Sequence, residues 1–159
     1  MVDSLNAQVS AELFSSNLYL AMAAYFDSAN LRGFSHWMKI QAGEELTHAS
    51  KIFDHILERS GRAKIGAVEE PPFNWGTPLE AVEAAHAHEE SVTGMINSLV
   101  AQAMAENDHA TFNMLQWFVG EQVEEEKQVD DVVKRMKLVG DKPVGLLMID
   151  SELGQRKAP

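Results

Sequence analysis

The chain has 159 residues, 45% of them apolar, which suits one domain (1–159) with a sizeable core. Thirteen basic against 24 acidic residues give a net charge of -11, which disfavours nucleic acid or anionic membrane as a partner and favours cations. The absence of cysteine excludes disulfides, thiolate metal sites and a cysteine nucleophile, so any metal must take oxygen and nitrogen ligands.

No basic region precedes an apolar run at the N-terminus, and no stretch approaches ~18 consecutive apolar residues, so a cytoplasmic chain without a membrane span is expected. The first predicted helix spans 4–29, with Ser4 as N-cap and the stripe Leu5, Val9, Glu12, Ser16, Tyr19, Ala23 and Phe26. Asn30 and Gly33 mark a reversal into a second helix, 31–60, striped by Phe34, Met38, Gln41, Glu45, His48, Ile52 and His55 and closed by Gly61. Periodicity fails over 61–77, where glycines and prolines punctuate a long connection. Such a crossover is what joins two hairpins in one bundle, and it sets the second and third helices parallel.

Thr77 and Pro78 are the N-cap and first residue of a third helix, 78–106, striped by Leu79, Val82, His86, Glu89, Thr93, Ile96 and Val100. The fourth, 108–139, carries Leu115, Phe118, Gln122, Glu125, Val129, Val132 and Met136 and is capped by Gly140. A short fifth helix, 143–154, offers Leu146, Leu147, Ile149 and Leu153 as a docking face. The reading is all-α: a four-helix bundle of two antiparallel hairpins plus a C-terminal helix.

Carboxylates interrupt these stripes at a fixed offset. Glu12, Glu44, Glu45 and His48 in the first half correspond to Glu89, Glu121, Gln122 and Glu125, each 77 residues later. At ~1.5 Å rise per residue the four helices deliver these groups at one level. So many buried carboxylates would each cost several kcal/mol, or stay protonated, without a cation among them. Bundles that hold two iron ions use a Glu from each of two helices and a Glu-x-x-His motif from each of the others. Here Glu45-Leu46-Thr47-His48 is one such motif, and Gln122-Val123-Glu124-Glu125 replaces the second. One metal is therefore expected on Glu12, Glu45 and His48, and the other on Glu45, Glu89 and Glu125, with Glu45 bridging. Oxygen-rich ligation with one imidazole suits Fe or Mn better than structural zinc. Gln122 is expected to hold a ligand in place.

Glu12 with Asn17-Leu18-Tyr19-Leu20, the run Glu44 to His48, His88-Glu89, and Leu115-Gln116-Trp117-Phe118 leading to Glu121 through Glu126 stand together in order. Over nearly its whole length the chain thus resembles the non-haem bacterial and archaeal ferritins, whose fold is the ferritin-like four-helix bundle. The resemblance implies a diiron ferroxidase centre oxidising Fe(II) to Fe(III) with O2 or H2O2. It also implies a hollow homo-oligomeric shell of twenty-four subunits storing ferric mineral. A third iron position would fall on Glu44, Glu121, Glu124 and Glu125, and Tyr19 would stand beside the pair. Trp117 matches a tryptophan near the family's centre, with a redox or packing role.

The haem-bearing bacterioferritins hold haem by a methionine directly after the bridging Glu. Leu46 stands there and offers no ligand, so no haem is expected. A diiron oxidase or peroxidase without storage is the other reading, and irons taken up per chain separate the two. His86 reads as a core histidine, and His36, His55, His88 and His109 as solvent or packing residues. Gly43 and Gly120, also 77 apart, read as positions of close helix approach or as room for a metal or water.

Overall fold

The computed structural model describes residues 1–140 and 142–157. It contains five helices and, among the described residues, no strand: α1 Val2–Ser28, α2 Arg32–Glu58, α3 Pro78–Ala105, α4 His109–Val139 and α5 Pro143–Leu153. α1 and α2 form one hairpin, α3 and α4 the other. The residues between α2 and α3 form no helix, and Asn6 on α1 pins their start: its amide donates to the Arg62 carbonyl at 3.2 Å and its Oδ1 accepts from Lys64 N at 2.7 Å. No helix of the described residues is long and apolar enough to cross a membrane.

Local chemistry accounts for most helix ends. Thr77 Oγ1 accepts from Glu80 N at 3.1 Å, ahead of Pro78, and Asp108 Oδ1 accepts from Thr111 N at 3.1 Å. Gly140 closes α4 with φ 55°, a conformation costly for most side chains. Two expected caps are different. α1 starts at Val2 with Met1 in the cap position and no side-chain cap, so Ser4 lies inside the helix. α2 ends at Glu58, and it is Ser60, φ 56°, that takes the left-handed turn expected at Gly61; Asn30 and Asn107 do the same after α1 and α3.

The core falls into two apolar clusters. One gathers Tyr19, Phe26, Phe34, Trp37, Met38, Val129 and Met136, the other Leu5, Val9, Ile52, Ile56, Ile96, Leu115 and Phe118. Between them every helix of the bundle contributes buried polar side chains: Glu12, Gln41, Glu45, His48, Glu89, Gln122 and Glu125.

α5 docks on the first cluster through buried Ile149 and half-buried Leu146 and Leu153, while Leu147, 57% exposed, points away from the face it was expected to share. Its Asp150 does a job no nearby residue can. Leu31, at the N-cap of α2, has no polar side chain, and Asp150 Oδ1 instead accepts from Gly33 N at 2.7 Å and Phe34 N at 3.0 Å. A Cβ at Gly33 would lie 1.6 Å from the Asp150 carbonyl oxygen, so this glycine serves helix packing and not the reversal before it. Gly43 and Gly120 do not: a Cβ at either meets nothing within 4 Å among the described residues, which removes close approach and leaves the other reading, open room.

Candidate metal centre

Three buried side chains form the tightest group. Glu12 on α1 and Glu45 and His48 on α2 each offer one ligand atom within 4.8 Å of the others. Glu45 and His48, one helical turn apart, place Oε2 and Nδ1 at 3.1 Å. The imidazole is wedged edge-on against Trp117 and Phe118, with ring centroids at 5.5 and 5.8 Å. Gln8 donates to Glu12 Oε1 at 2.9 Å, but Glu12 Oε2 is buried with no partner among the described residues. Such an orphan costs desolvation energy with no return inside the protein.

The second hairpin supplies two further buried carboxylates, each held by donors. Glu89, fully buried, accepts from the Tyr19 hydroxyl across the bundle and from Gln122 Nε2 at 3.1 Å. Glu125 accepts from Gln41 Nε2 at 2.5 Å. Gln122 also reaches Thr93 Oγ1 at 3.3 Å, so its amide bonds Glu89 and Thr93 and stands outside the Glu12, Glu45 and His48 group. Tyr19, Gln41 and Gln122 thus fix the carboxylates whose charges bear on Glu45.

Crowded, buried carboxylates resist ionisation. Glu12 is raised well above the ordinary range by burial first and by the Glu45 charge next. Glu45 is also raised well above it, by burial and then by Glu89. Glu125 is pushed up to about 7, mainly by burial, then by Glu89, against the lowering effect of the Gln41 bond. Burial and Glu89 likewise push the Tyr19 phenol up. A multivalent cation reverses each of these costs by favouring the charged carboxylate. Carboxylate oxygens, one imidazole and an unpartnered oxygen make a donor set suited to a hard or borderline cation such as iron.

The remaining candidate residues lie apart. Glu44 is half-buried, and Arg156 Nη2 contacts its two oxygens at 3.1 and 3.0 Å. Burial raises the Glu44 carboxyl, partly countered by Arg156. On α4, Glu121 is half-buried and Glu124 exposed. Trp117 is 40% exposed beneath Lys51, whose Nζ sits 4.4 Å from the ring centroid. His86 is not a core histidine: it is half-buried and lies 3.9 Å from Glu90. The indifferent histidines include one buried group, His55, whose Nε2 meets Thr111 Oγ1 at 2.9 Å, and His88, which bonds Ser15 at 2.8 Å. Gln8, Gln41 and Arg156 were assigned no site role from the sequence, although Gln41 stands on the stripe of the second helix. The first two carry a signal, one turn before Glu12 and one turn before Glu45 on the same faces; Arg156 carries none.

Comparison with known proteins adds a direct finding. A ferritin-like domain model matches residues 2–139. The bacterial non-heme ferritin of Bacteroides fragilis is 46% identical over 154 residues, covering 97% of this chain and 96% of that protein. Bacterial non-heme ferritin from Escherichia coli O6:H1 is 36% identical over 153 residues, covering 96% and 93%. Among solved structures, an engineered closed form of the Archaeoglobus fulgidus ferritin superposes with TM-score 0.99 at 52% identity, covering 100% of this chain and 97% of that one. The open-pore ferritin from the same archaeon gives 0.98 at 52%, covering 99% and 96%.

Proposed function

This chain belongs to the family of ferritin-like domains, and from that premise we propose that it is an iron-storage protein with ferroxidase activity. The observation that carries the reading is the buried Glu12, Glu45 and His48 trio with its unpartnered Glu12 oxygen, beside buried Glu89 and Glu125 whose charges act on Glu45. Iron is the substrate. One Fe(II) is assigned to Glu12, Glu45 and His48, a second to Glu45, Glu89 and Glu125, and Glu45 joins the two. Each Fe(II) gives up one electron, and O2 takes up both with two protons to leave H2O2, which can itself serve as oxidant for further Fe(II).

The protein's part is to hold and neutralise charge. Glu12, Glu45 and Glu125, raised by burial, give up their protons as iron binds. Tyr19 and Gln122 keep Glu89 turned to one position, and Gln41 does the same for Glu125. Trp117 and Phe118 shield the imidazole side. Glu44, Glu121 and Glu124 are assigned, with Glu125, to a third cation position beside the pair. Leu46 offers no ligand atom, so the reading includes no haem.

Storage requires enclosure, and the family points to a hollow symmetric shell of twenty-four chains. Exposed apolar side chains on this subunit, Phe73 at 91% and Val144 at 71% among them, support contacts between copies. The test is to add Fe(II) anaerobically at many ions per chain, admit air, and pass the product down a sizing column. Many irons per chain co-eluting with a large assembly is the expected result. Oxidation with only two irons retained per chain would make the protein a diiron oxidase and overturn storage.

A further inference from the structure

Arg156 lies three residues beyond the end of α5, yet its guanidinium reaches Gln41 and Glu44 beside the metal centre. Nη1 donates to Gln41 Oε1, and Nη2 lies 3.1 and 3.0 Å from the two oxygens of Glu44. Both partners of that ion pair are mostly sheltered, with side chains 22% and 15% exposed. The same Gln41 amide gives its N–H to Glu125 Oε2 at 2.5 Å. One guanidinium therefore touches Glu44 directly and Glu125 through a single amide.

The tail is built to place it there. Gly154 N and Arg156 N close short turns onto Asp150 O and Leu153 O, and His36 Nε2–H donates to the Arg156 carbonyl at 2.8 Å. Arg156 also lines a groove of about 630 Å³ whose walls carry Glu124, Asp130 and Asp131 alongside Lys127, Lys134 and Arg135.

We propose that Arg156 is a built-in competitor for the Glu44 side of the centre: it holds Glu44 and Gln41 with its own positive charge, and a metal cation must displace it to use Glu44 as a ligand. The proposal rests on the metal-centre reading above. Guanidinium binding to a carboxylate is strong enough to matter, since a charge-assisted pair sheltered from water is worth more than an exposed one. A divalent metal ion concentrates more charge than the guanidinium, and it takes Glu44 only by breaking that pair. Arg156 thereby separates the tight sites from the weaker one, acting as a positioning residue that touches no reacting atom.

The experiment titrates the full-length, iron-free protein with redox-inert Zn2+ by calorimetry, comparing wild type, Arg156→Ala, Arg156→Lys and Glu44→Gln. Wild type should show a tight class and a weaker class. Arg156→Ala should tighten the weaker class on the order of tenfold and change the tight class, which Arg156 touches only through Gln41, far less. Arg156→Lys keeps the charge without the fork and should fall between, and Glu44→Gln should abolish the weaker class. A second readout is labelling by phenylglyoxal followed by mass spectrometry: saturating Zn2+ should speed modification of Arg156 while leaving exposed Arg32 and Arg62 unchanged. A weaker class indifferent to Arg156→Ala, or Arg156 labelling independent of Zn2+, overturns this inference alone. Failure of wild type to bind Zn2+ at all overturns the metal-centre reading and this inference with it.

Discussion

Glu125→Gln should make the iron-free protein less sensitive to alkaline pH, and the structure fixes both sign and size. Glu125 is held at about 7, raised by burial first and then by Glu89, against an ordinary value of 4.5. A carboxyl raised on folding favours the folded state when protonated. Its contribution is therefore fully present below pH 4.5 and is lost as pH rises through 7. The gap of 7 minus 4.5 units corresponds to roughly 3 kcal/mol across that window. For a chain of this size that is a fall in Tm of about 6–12 °C between pH 5 and 8. Glu12 and Glu45 add losses of the same sign, so the wild type alone does not isolate Glu125. The glutamine variant does, because its side chain cannot ionise and still accepts from Gln41. Thermal unfolding in chelator across pH 5–8 should show the variant with a slope shallower by that amount. Saturating Zn2+ should flatten the wild-type slope as well, since the cation favours the charged carboxylate. Parallel pH profiles for wild type and variant would refute the claim that Glu125 is a buried acid in this cluster.

Removing the bridge should be the most damaging change: Glu45→Ala should slow oxidation of two Fe(II) per chain by more than roughly a hundredfold, and an unchanged stopped-flow rate would defeat its assignment. Replacing Glu44, Glu121 and Glu124 together with Ala should leave that first oxidation in place but change the iron oxidised per O2, measured with an oxygen electrode. Tyr19→Phe takes the hydroxyl from buried Glu89 and leaves it with Gln122, so the oxidation rate should fall about tenfold with the fold intact by circular dichroism. Gly33→Ala drives a methyl group into the Asp150 carbonyl and should cost about 1–3 kcal/mol or more in chemical denaturation, through loss of α5 docking rather than of iron chemistry.

Much of the fold was legible because helix stripes repeat. Every stripe residue marked on the first, second and fourth helices is buried, and on the third the stripe is buried or half-buried throughout, His86 included among the half-buried. Polar residues standing on those stripes had to lie in the core, and the 77-residue recurrence showed that two hairpins put them at one level. Pattern failed where a residue type has more than one use. Gly43 and Gly120 shared that offset and left close approach or open room undecided; both face open space, and an exposed helical glycine has the same sequence signature as a packed one.

By itself, then, the sequence determined what short-range periodicity can report: which face of each helix is buried, where helices begin at Thr77 and Asp108, and which acids stand among apolar neighbours. Tertiary structure alone decided the pairings between distant segments. Asp150 caps α2 from 117 positions away, and Arg156 pairs with Glu44 across 112. Gln41 steadies Glu125 across 84 positions and Tyr19 reaches Glu89 across 70. No local preference encodes such contacts, since they exist only once α5 has docked and the two hairpins have closed on each other. Burial of apolar stripes drives that closure, and the polar partners are then selected by whatever lies within a hydrogen bond's length.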